Sequence, residues 1–184
     1  MISESQVLRT AIFDCLCSCL NLNNSSAAAI ALIHEAYAEP ENTPQPPRNR
    51  NVIYWYLKQD TEADPVSIEY KSDSSLSSGN HIPVIYTTLK YQLIIICYGP
   101  AAEEYANRIR AVLYLDGFGF PRQILRKAGA YPIPDPPQPI IFYEEEGSLW
   151  RRRADLTISL RVQDEQISQA RSSITAAPEV IIRR

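Results

Sequence analysis

Two charged runs are the residues whose type and spacing come nearest to chemistry. The acidic run is Glu144, Glu145 and Glu146, and an arginine run follows it shortly afterwards in the chain. Carboxylates in succession could bind a cation, but a metal site needs ligands that converge on one point. Neighbouring residues of one segment do not converge easily. The acidic run therefore predicts a solvated turn ahead of a strand rather than a metal site.

The arginine run is Arg151, Arg152 and Arg153. On a strand, Arg151 and Arg153 share one face with Asp155, and Arg152 points to the other face. Three interpretations remain open for the run: the exposed start of a strand, ion pairs with the acidic run of a neighbouring subunit, or contact with DNA phosphates. The six residues of the two runs are our candidate contact residues.

Catalytic motifs are missing from the sequence. Its two histidines, His34 and His81, lie far apart, and the chain contains no HExxH, Walker loop, GxSxG or paired CxxC pattern. A nucleophile, a base and an oxyanion group in a recognisable setting are what an enzyme should offer. We therefore expect no enzyme activity, no catalytic residue, no cofactor and no metal.

The four cysteines follow neither a zinc nor a disulfide pattern. Cys15, Cys17 and Cys19 lie two residues apart in a helical segment, and Cys97 lies in a strand. They are expected to be buried, reduced thiols. The net charge of −3 argues against a chain that binds nucleic acid by overall charge. We expect an intracellular protein, because no apolar run is long enough to span a membrane and no basic segment typical of a secretion signal opens the chain.

The segment 90–117 predicts the unit around which the fold is organised. It reads as a strand, a break at Gly99 and Pro100, and an amphipathic helix with Glu103 and Glu104 in its first turn. Pro100 suits the first helical position, since a proline lacks the N–H group that is unpaired there. Both faces of the strand are apolar, which is typical of a central strand covered on both sides.

The remaining pattern predicts an α+β fold, with a mainly antiparallel sheet packed by an N-terminal helix and a central helix. We expect one domain over residues 1–184, with a proline-rich loop at 39–51 and a peripheral strand and tail at 165–184. Residues 52–59 and 65–71 are predicted to be strands that pair with each other. The other predicted elements are a helix at 3–20, a short strand at 30–37, a strand at 81–98 with a bulge near Thr87 and Thr88, a helix at 121–128, an extended segment at 131–139, and strands at 149–162 and 180–182.

Four of these features occur in an order that resembles a known family. They are the proline-rich loop leading into Val52-Ile53-Tyr54, the turn Tyr98-Gly99-Pro100-Ala101-Ala102, the helix ending in Arg108-Ile109-Arg110-Ala111-Val112-Leu113, and the strand from Arg151 after an acidic and aromatic stretch. Together they resemble the neck and tail-terminator proteins of tailed bacteriophages, in particular the neck terminator family. The resemblance covers most of residues 1–165. The proline-rich segment 131–139 and the tail beyond residue 164 depart from the simplest members.

The resemblance implies a structural role in the virion. Such proteins have an α+β fold and form a ring, typically hexameric, that caps the tail tube and joins it to the connector on the head side. DNA passes through the ring, so the two charged runs become candidate intersubunit or lumen contacts. The implied partners are other copies of the chain, the tail tube protein and a head completion protein, with no membrane. The place of synthesis would be the bacterial cytoplasm. Alternatives are another tail-completion or baseplate adaptor, a small ligand-binding domain or enzyme, and a nucleic-acid-binding module.

Overall fold

The computed structural model describes residues 4–36, 49–60, 67–72, 81–115, 119–146 and 149–167, which form four helices and seven strands. The helices are α1 (Glu4–Cys19), α2 (Ala27–Leu32), α3 (Ala102–Tyr114) and α4 (Phe120–Lys127). The strands are β1 (Ile33–Glu35), β2 (Val52–Gln59), β3 (Ser67–Ser72), β4 (His81–Tyr98), β5 (Ala130–Pro132), β6 (Ile140–Glu146) and β7 (Leu149–Ile167).

The strands form one mixed sheet in the order β1-β2-β4-β7-β5, with β3 paired to β4 and β6 paired to β7. Only the β1–β2 pair is parallel among the described strands. The predicted α+β class with a mainly antiparallel sheet is confirmed. Within the described segments, no helix is both long enough and apolar enough to cross a membrane.

The pairing of β4 with β7 forms the centre of the sheet. Their register runs without interruption from Val84 opposite Ile167 to Tyr98 opposite Arg153. A bulge would place two residues of one strand opposite one of the other. Thr87 and Thr88 instead each have their own partner, so the predicted bulge is wrong.

The predicted pairing of the strand at 65–71 with β2 is also wrong. β3 pairs with the first part of β4, His81 to Tyr86, and β2 pairs with the last part, Tyr91 to Tyr98. Since β7 pairs along the other edge of β4, β2 and β3 lie end to end along the same edge. The length of β4 is the physical reason, because its 18 residues accommodate both shorter strands.

The hydrophobic core lies on one face of the sheet, which we call the helix face. Residues paired across β2, β4 and β7 place their side chains there, beneath α1, α3 and α4. The fully buried residues of these three strands on this face are Ile53, Trp55, Leu93, Ile95, Cys97, Ala154, Leu156, Ile158 and Leu160. All four cysteines are free and buried, as predicted.

The opposite, outer face of the sheet is less covered. Ile94 and Ile96 of β4 point to this face and are half-buried, whereas Leu93 and Ile95 on the helix face are fully buried. For the described residues, the predicted cover of β4 is therefore complete on the helix face and partial on the outer face. Among the described residues, the helical members of the core cluster pack against the helix face.

The start of the fold combines a short helix with a short strand. The Ser26 hydroxyl accepts a hydrogen bond from the Ala29 N–H at 3.1 Å and caps α2, whose alanines favour helix. The predicted strand at 30–37 is thus wrong over its first three residues and correct at β1 (Ile33–Glu35). Most of the predicted loop at 39–51, and the predicted strand at 180–182, lie outside the described residues.

Candidate functional site

The turn between β4 and α3 strongly favours glycine at position 99. Gly99 has a φ of +104°, and a Cβ atom there would lie 2.6 Å from Asn51 Oδ1 and 2.8 Å from the Arg50 carbonyl oxygen. The Gly99 N–H donates to the Arg152 carbonyl at 3.0 Å, and the Ala101 N–H donates to Asn51 Oδ1 at 3.0 Å. The start of β2 and the arginine run thus hold this turn from two sides.

This arrangement changes the start of the central helix. α3 begins at Ala102 with Ala101 as its N-cap, so Pro100 precedes the helix and the prediction that it is the first helical residue is wrong. The side chain of Asn51, which comes from another segment, accepts a hydrogen bond from the N–H group of the N-cap residue Ala101. Glu103 and Glu104 occupy the first turn as predicted.

Arg152 connects β7 to α3 on the helix face. Its Nη2 group forms an ion pair and hydrogen bond with Glu103 Oε2, and both side chains are partly exposed. The Glu103 carboxylate also lies at the helix N-terminus, where the backbone dipole favours negative charge. One residue of the arginine run is therefore part of the contact between sheet and helix.

Arg153 binds two acidic side chains on the outer face. Its Nε and Nη2 groups donate to the two Asp155 carboxylate oxygens at 2.7 and 2.8 Å, and Nη1 donates to Glu144 Oε2 at 3.3 Å. Burial acts to lower the pKa of Arg153, but hydrogen bonding to Asp155 and the neighbouring negative charges raise the pKa above its ordinary value. Arg153 therefore stays positively charged at neutral pH.

Arg151 is buried against Tyr98. Only 7% of Arg151 is exposed, and its guanidinium carbon lies 4.5 Å from the centre of the Tyr98 ring, within cation–π range. Its Nε and Nη2 atoms have no hydrogen-bond partner in the described part of the chain. For this arginine, the interpretation as the exposed start of a strand is wrong.

Tyr98 lies at the centre of this outer-face cluster, which we define as Tyr98, Glu144, Arg151, Arg153 and Asp155. Burial and a hydrogen bond to Glu144 raise the pKa of Tyr98 to about 12, although the charge of Arg153 opposes the shift. The Tyr98 hydroxyl therefore remains protonated at neutral pH and can donate a hydrogen bond.

The acidic run does not form the predicted turn, since it is the end of strand β6. Glu144, Glu145 and Glu146 are in register with Arg151, Trp150 and Leu149 of β7. The structure brings Glu144 to Arg153 within one chain and leaves Glu145 exposed. Sequence reasoning missed this pairing, although Gly147-Ser148 between two strand-like segments is a hairpin signal.

Three further contributors were missed: Asn51, Glu103 as the partner of Arg152, and Tyr98 as the partner of Arg151. The pattern of a single segment does not reveal such contacts, because each joins residues far apart in the chain. Over the described ranges, no group of three or more histidine, cysteine, aspartate or glutamate residues could hold a metal ion. The arrangement can hold strands, helix and turn together and can present charge to a partner.

Comparison with known families agrees with the order of elements in this chain. A family model described as phage neck terminator protein matches residues 6–182, nearly the whole chain. The chain belongs to the phage neck terminator family. None of the curated proteins matches it. The resemblance inferred from the sequence is confirmed, and a structural role in the phage neck, as a component of the virion, follows from the family.

The match includes both segments in which this neck terminator chain was expected to depart from simpler relatives. Residues 131–139 and the tail beyond residue 164 lie within the matched range, apart from the last two residues. The first of these segments begins in β5, whose Tyr131 is in register with Arg161 of β7. The proline-rich segment is thus anchored to the sheet at its start.

Proposed function

We propose that this chain assembles into a hexameric ring at the neck, where it terminates the tail tube and joins it to the connector on the head side. The observation that carries the proposal is the match to the neck terminator family over residues 6–182. The proposed partners are other copies of the chain, the tail tube protein and a head completion protein. Genomic DNA would pass through the ring, and the chain would be made in the cytoplasm of the bacterial host.

The chemistry of the described residues supports an assembly role. The charged groups of the outer-face cluster are engaged with one another or with an aromatic ring, and none is arranged as a nucleophile with a base. We therefore propose that the chain works by binding, without catalysis and without a cofactor.

Ion pairs between neighbouring copies remain part of this proposal. A ring requires heterologous contacts, in which one surface of a copy meets a different surface of the next. Glu145 is exposed, and Arg152 retains partial exposure beside Glu103, so these two have charge available for a neighbour. Glu144 and Arg153 already bind each other within one chain, so each would need to bind a second partner to form an ion pair with a neighbouring copy.

The ring is tested by the mass of the purified full chain in native mass spectrometry over a concentration series, with electron microscopy of the largest species. We expect a closed hexamer. Removing the chain from the phage that encodes it should leave heads and tails that do not join, and supplying the wild-type chain should restore joining. Normal joining without the chain would overturn the proposed function, whatever its oligomeric state in solution.

A further inference from the structure

The end of the β6–β7 hairpin exposes large apolar side chains on the helix face. We call this the hairpin patch: Ile141, Tyr143 and Trp150, of which Tyr143 is 60% and Trp150 is 66% exposed. The register places all three on one face, because Ile141 is opposite Ala154, Tyr143 is opposite Arg152, and Trp150 precedes Arg152 by two residues of β7. Exposed aromatic residues in one row are typical of an interaction surface rather than of a solvated strand.

A cleft of about 560 Å³ lies at the other edge of the sheet, between α1 and the β1–β2 pair. We call it the α1 cleft. Clefts that hold a bound group are typically about 300–1,000 Å³. Its apolar lining comprises Phe13, Ile30, Ile33 and Trp55, and Ile30 at its rim is 58% exposed. The Trp55 indole nitrogen is buried and has no hydrogen-bond partner among the residues described.

The hairpin patch and the α1 cleft lie on opposite edges of the sheet. Ile141 is level with the cleft, and Trp150 lies four residues of β7 beyond that level. β1 is the strand at one end of the strand order, and β6 lies beyond β7 on the other side. One transverse row of paired residues leads from the cleft to the patch: Ile33, Ile53, Cys97, Ala154 and Ile141. Both features are also on the helix face, so a copy placed beside another can bring its patch to its neighbour's cleft.

The charges beside the two surfaces are complementary. Glu145 is exposed and lies opposite Trp150 in the hairpin. Arg9 lines the α1 cleft and forms an ion pair with Glu35 at 2.8 Å, yet half of its side chain remains exposed. A carboxylate that arrives with Trp150 would therefore meet a cation at the rim of the cleft.

We propose that Trp150 of one copy of this chain inserts into the α1 cleft of the next copy, with Glu145 approaching Arg9. The contact joins two different surfaces, so it leaves one patch and one cleft free at the ends of any open chain of copies. Such a contact closes into a ring when the rotation between neighbours permits it. The inference rests on the ring proposed above and deepens it by naming the two surfaces that meet.

The test uses two full-length variants, each lacking one of the surfaces. Trp150→Ala removes the inserted side chain and retains the cleft, and Ile30→Arg blocks the cleft and retains Trp150. Each variant alone should lose self-association, with a dissociation constant raised roughly 30-fold or more, as expected for a central aromatic anchor. Mixed in equal amounts, they should form a one-to-one heterodimer and nothing larger, because each offers the surface that the other lacks.

Matched controls come from exposed apolar residues elsewhere on the chain. Phe120→Ala removes an aromatic side chain as exposed as Trp150, and Val7→Arg adds a charge on α1 outside the cleft lining. Both should associate like wild type in native mass spectrometry and sedimentation velocity. Circular dichroism melts of all four variants establish that any loss of association occurs in folded protein.

Several outcomes would overturn the inference. Rings of unchanged stability in both Trp150→Ala and Ile30→Arg would do so while leaving the proposed ring intact. A wild-type chain that stays monomeric at every concentration, but still joins heads to tails in the phage, would assign the patch to another protein. Mixed variants that stay apart while each loses association would show that the two surfaces do not meet.

Discussion

The two parts of β7 carry the same alternation of side chains but have different surroundings. Ala154, Leu156, Ile158 and Leu160 are fully buried on the helix face, whereas Trp150, on the same face and strand, is 66% exposed. The helices cover the middle of the strand and not its beginning. Alternation therefore determines which face a residue occupies, and the cover over that face determines whether the residue stabilises the fold or remains available to a partner.

The charged residues show the same contrast. Arg152 on the helix face is tied to α3 through Glu103, and Arg153 on the outer face binds Asp155 and Glu144. These contacts occur where apolar cover ends. Ion pairs and cation–π contacts replace hydrophobic packing at this end of the sheet.

The largest expected effect is in the covered part of β7. Leu156→Ala leaves a cavity in a site that is 0% exposed and should lower the free energy of unfolding by about 2–5 kcal/mol. Thr157→Ala, one residue later on the outer face and exposed, should change it by less than about 0.5 kcal/mol. Urea denaturation measures both. Equal losses of unfolding free energy in the two variants would show that the helices do not make one face of β7 more important for stability than the other.

A smaller loss of stability is expected at the turn that joins β4 to α3. Gly99→Ala forces a Cβ into contact with Asn51 and the Arg50 carbonyl at a φ of +104° and should cost about 1–3 kcal/mol in urea denaturation. Asn51→Ala in the same background should not restore stability, because the backbone oxygen of Arg50 remains 2.8 Å from the new atom. Recovery in that double variant would place the strain at the asparagine alone.

The outer-face cluster should make stability depend on alkaline pH. Burial raises the pKa of Tyr98 to about 12 from an ordinary value of about 10, so folding favours the protonated phenol. This contribution is fully present below about pH 10 and is lost as the pH rises towards 12. The difference in unfolding free energy between wild type and Tyr98→Phe should therefore fall across this range. A difference that stays constant would show that Tyr98 is not held in its protonated form.

The smallest effect on stability is expected in the uncovered part of β7. Trp150→Ala removes a largely exposed ring and should change the free energy of unfolding by no more than about 0.5 kcal/mol. Thermal melts of the monomer, at concentrations below association, provide the measurement. A loss of several kcal/mol would mean that Trp150 supports the fold itself, which would remove the contrast between the two parts of the strand.

Much of the fold could be predicted because the local pattern of apolar residues agrees with the burial of those residues in the folded structure. β2 and β4 have the predicted bounds, 52–59 and 81–98, because β-branched and aromatic residues fill them. The amphipathic helix predicted in the segment 90–117 is α3, whose residues Ala102, Ile109 and Leu113 share one apolar stripe and are buried. β6 was missed because prolines precede it and three glutamates end it, and neither feature is typical of a strand.

The candidate site was less predictable, for a physical reason. The faces of Arg151, Arg152 and Arg153 follow from alternation alone, and the structure has them as predicted. Their partners depend on strand register and helix placement, which bring Glu103 to Arg152 across 49 positions of sequence. Burial of Arg151 beside Tyr98 is likewise a product of tertiary structure, so a run of three arginines is easily mistaken for a solvated surface.

The long pairing of β4 with β7 also determines the order in which the strands of the sheet can pair as the chain folds. It pairs residues whose separation in the chain rises from 55 positions, at Tyr98 and Arg153, to 83 positions, at Val84 and Ile167. Contacts this distant require closure of a large loop before any hydrogen bond forms, which slows folding. During synthesis, the edge of β4 that pairs with β7 stays unpaired until α3, α4, β5 and β6 have emerged, because β7 follows them in the chain. Unpaired strand edges promote aggregation, so the interval before β7 joins β4 is the one in which the nascent chain is most exposed to it.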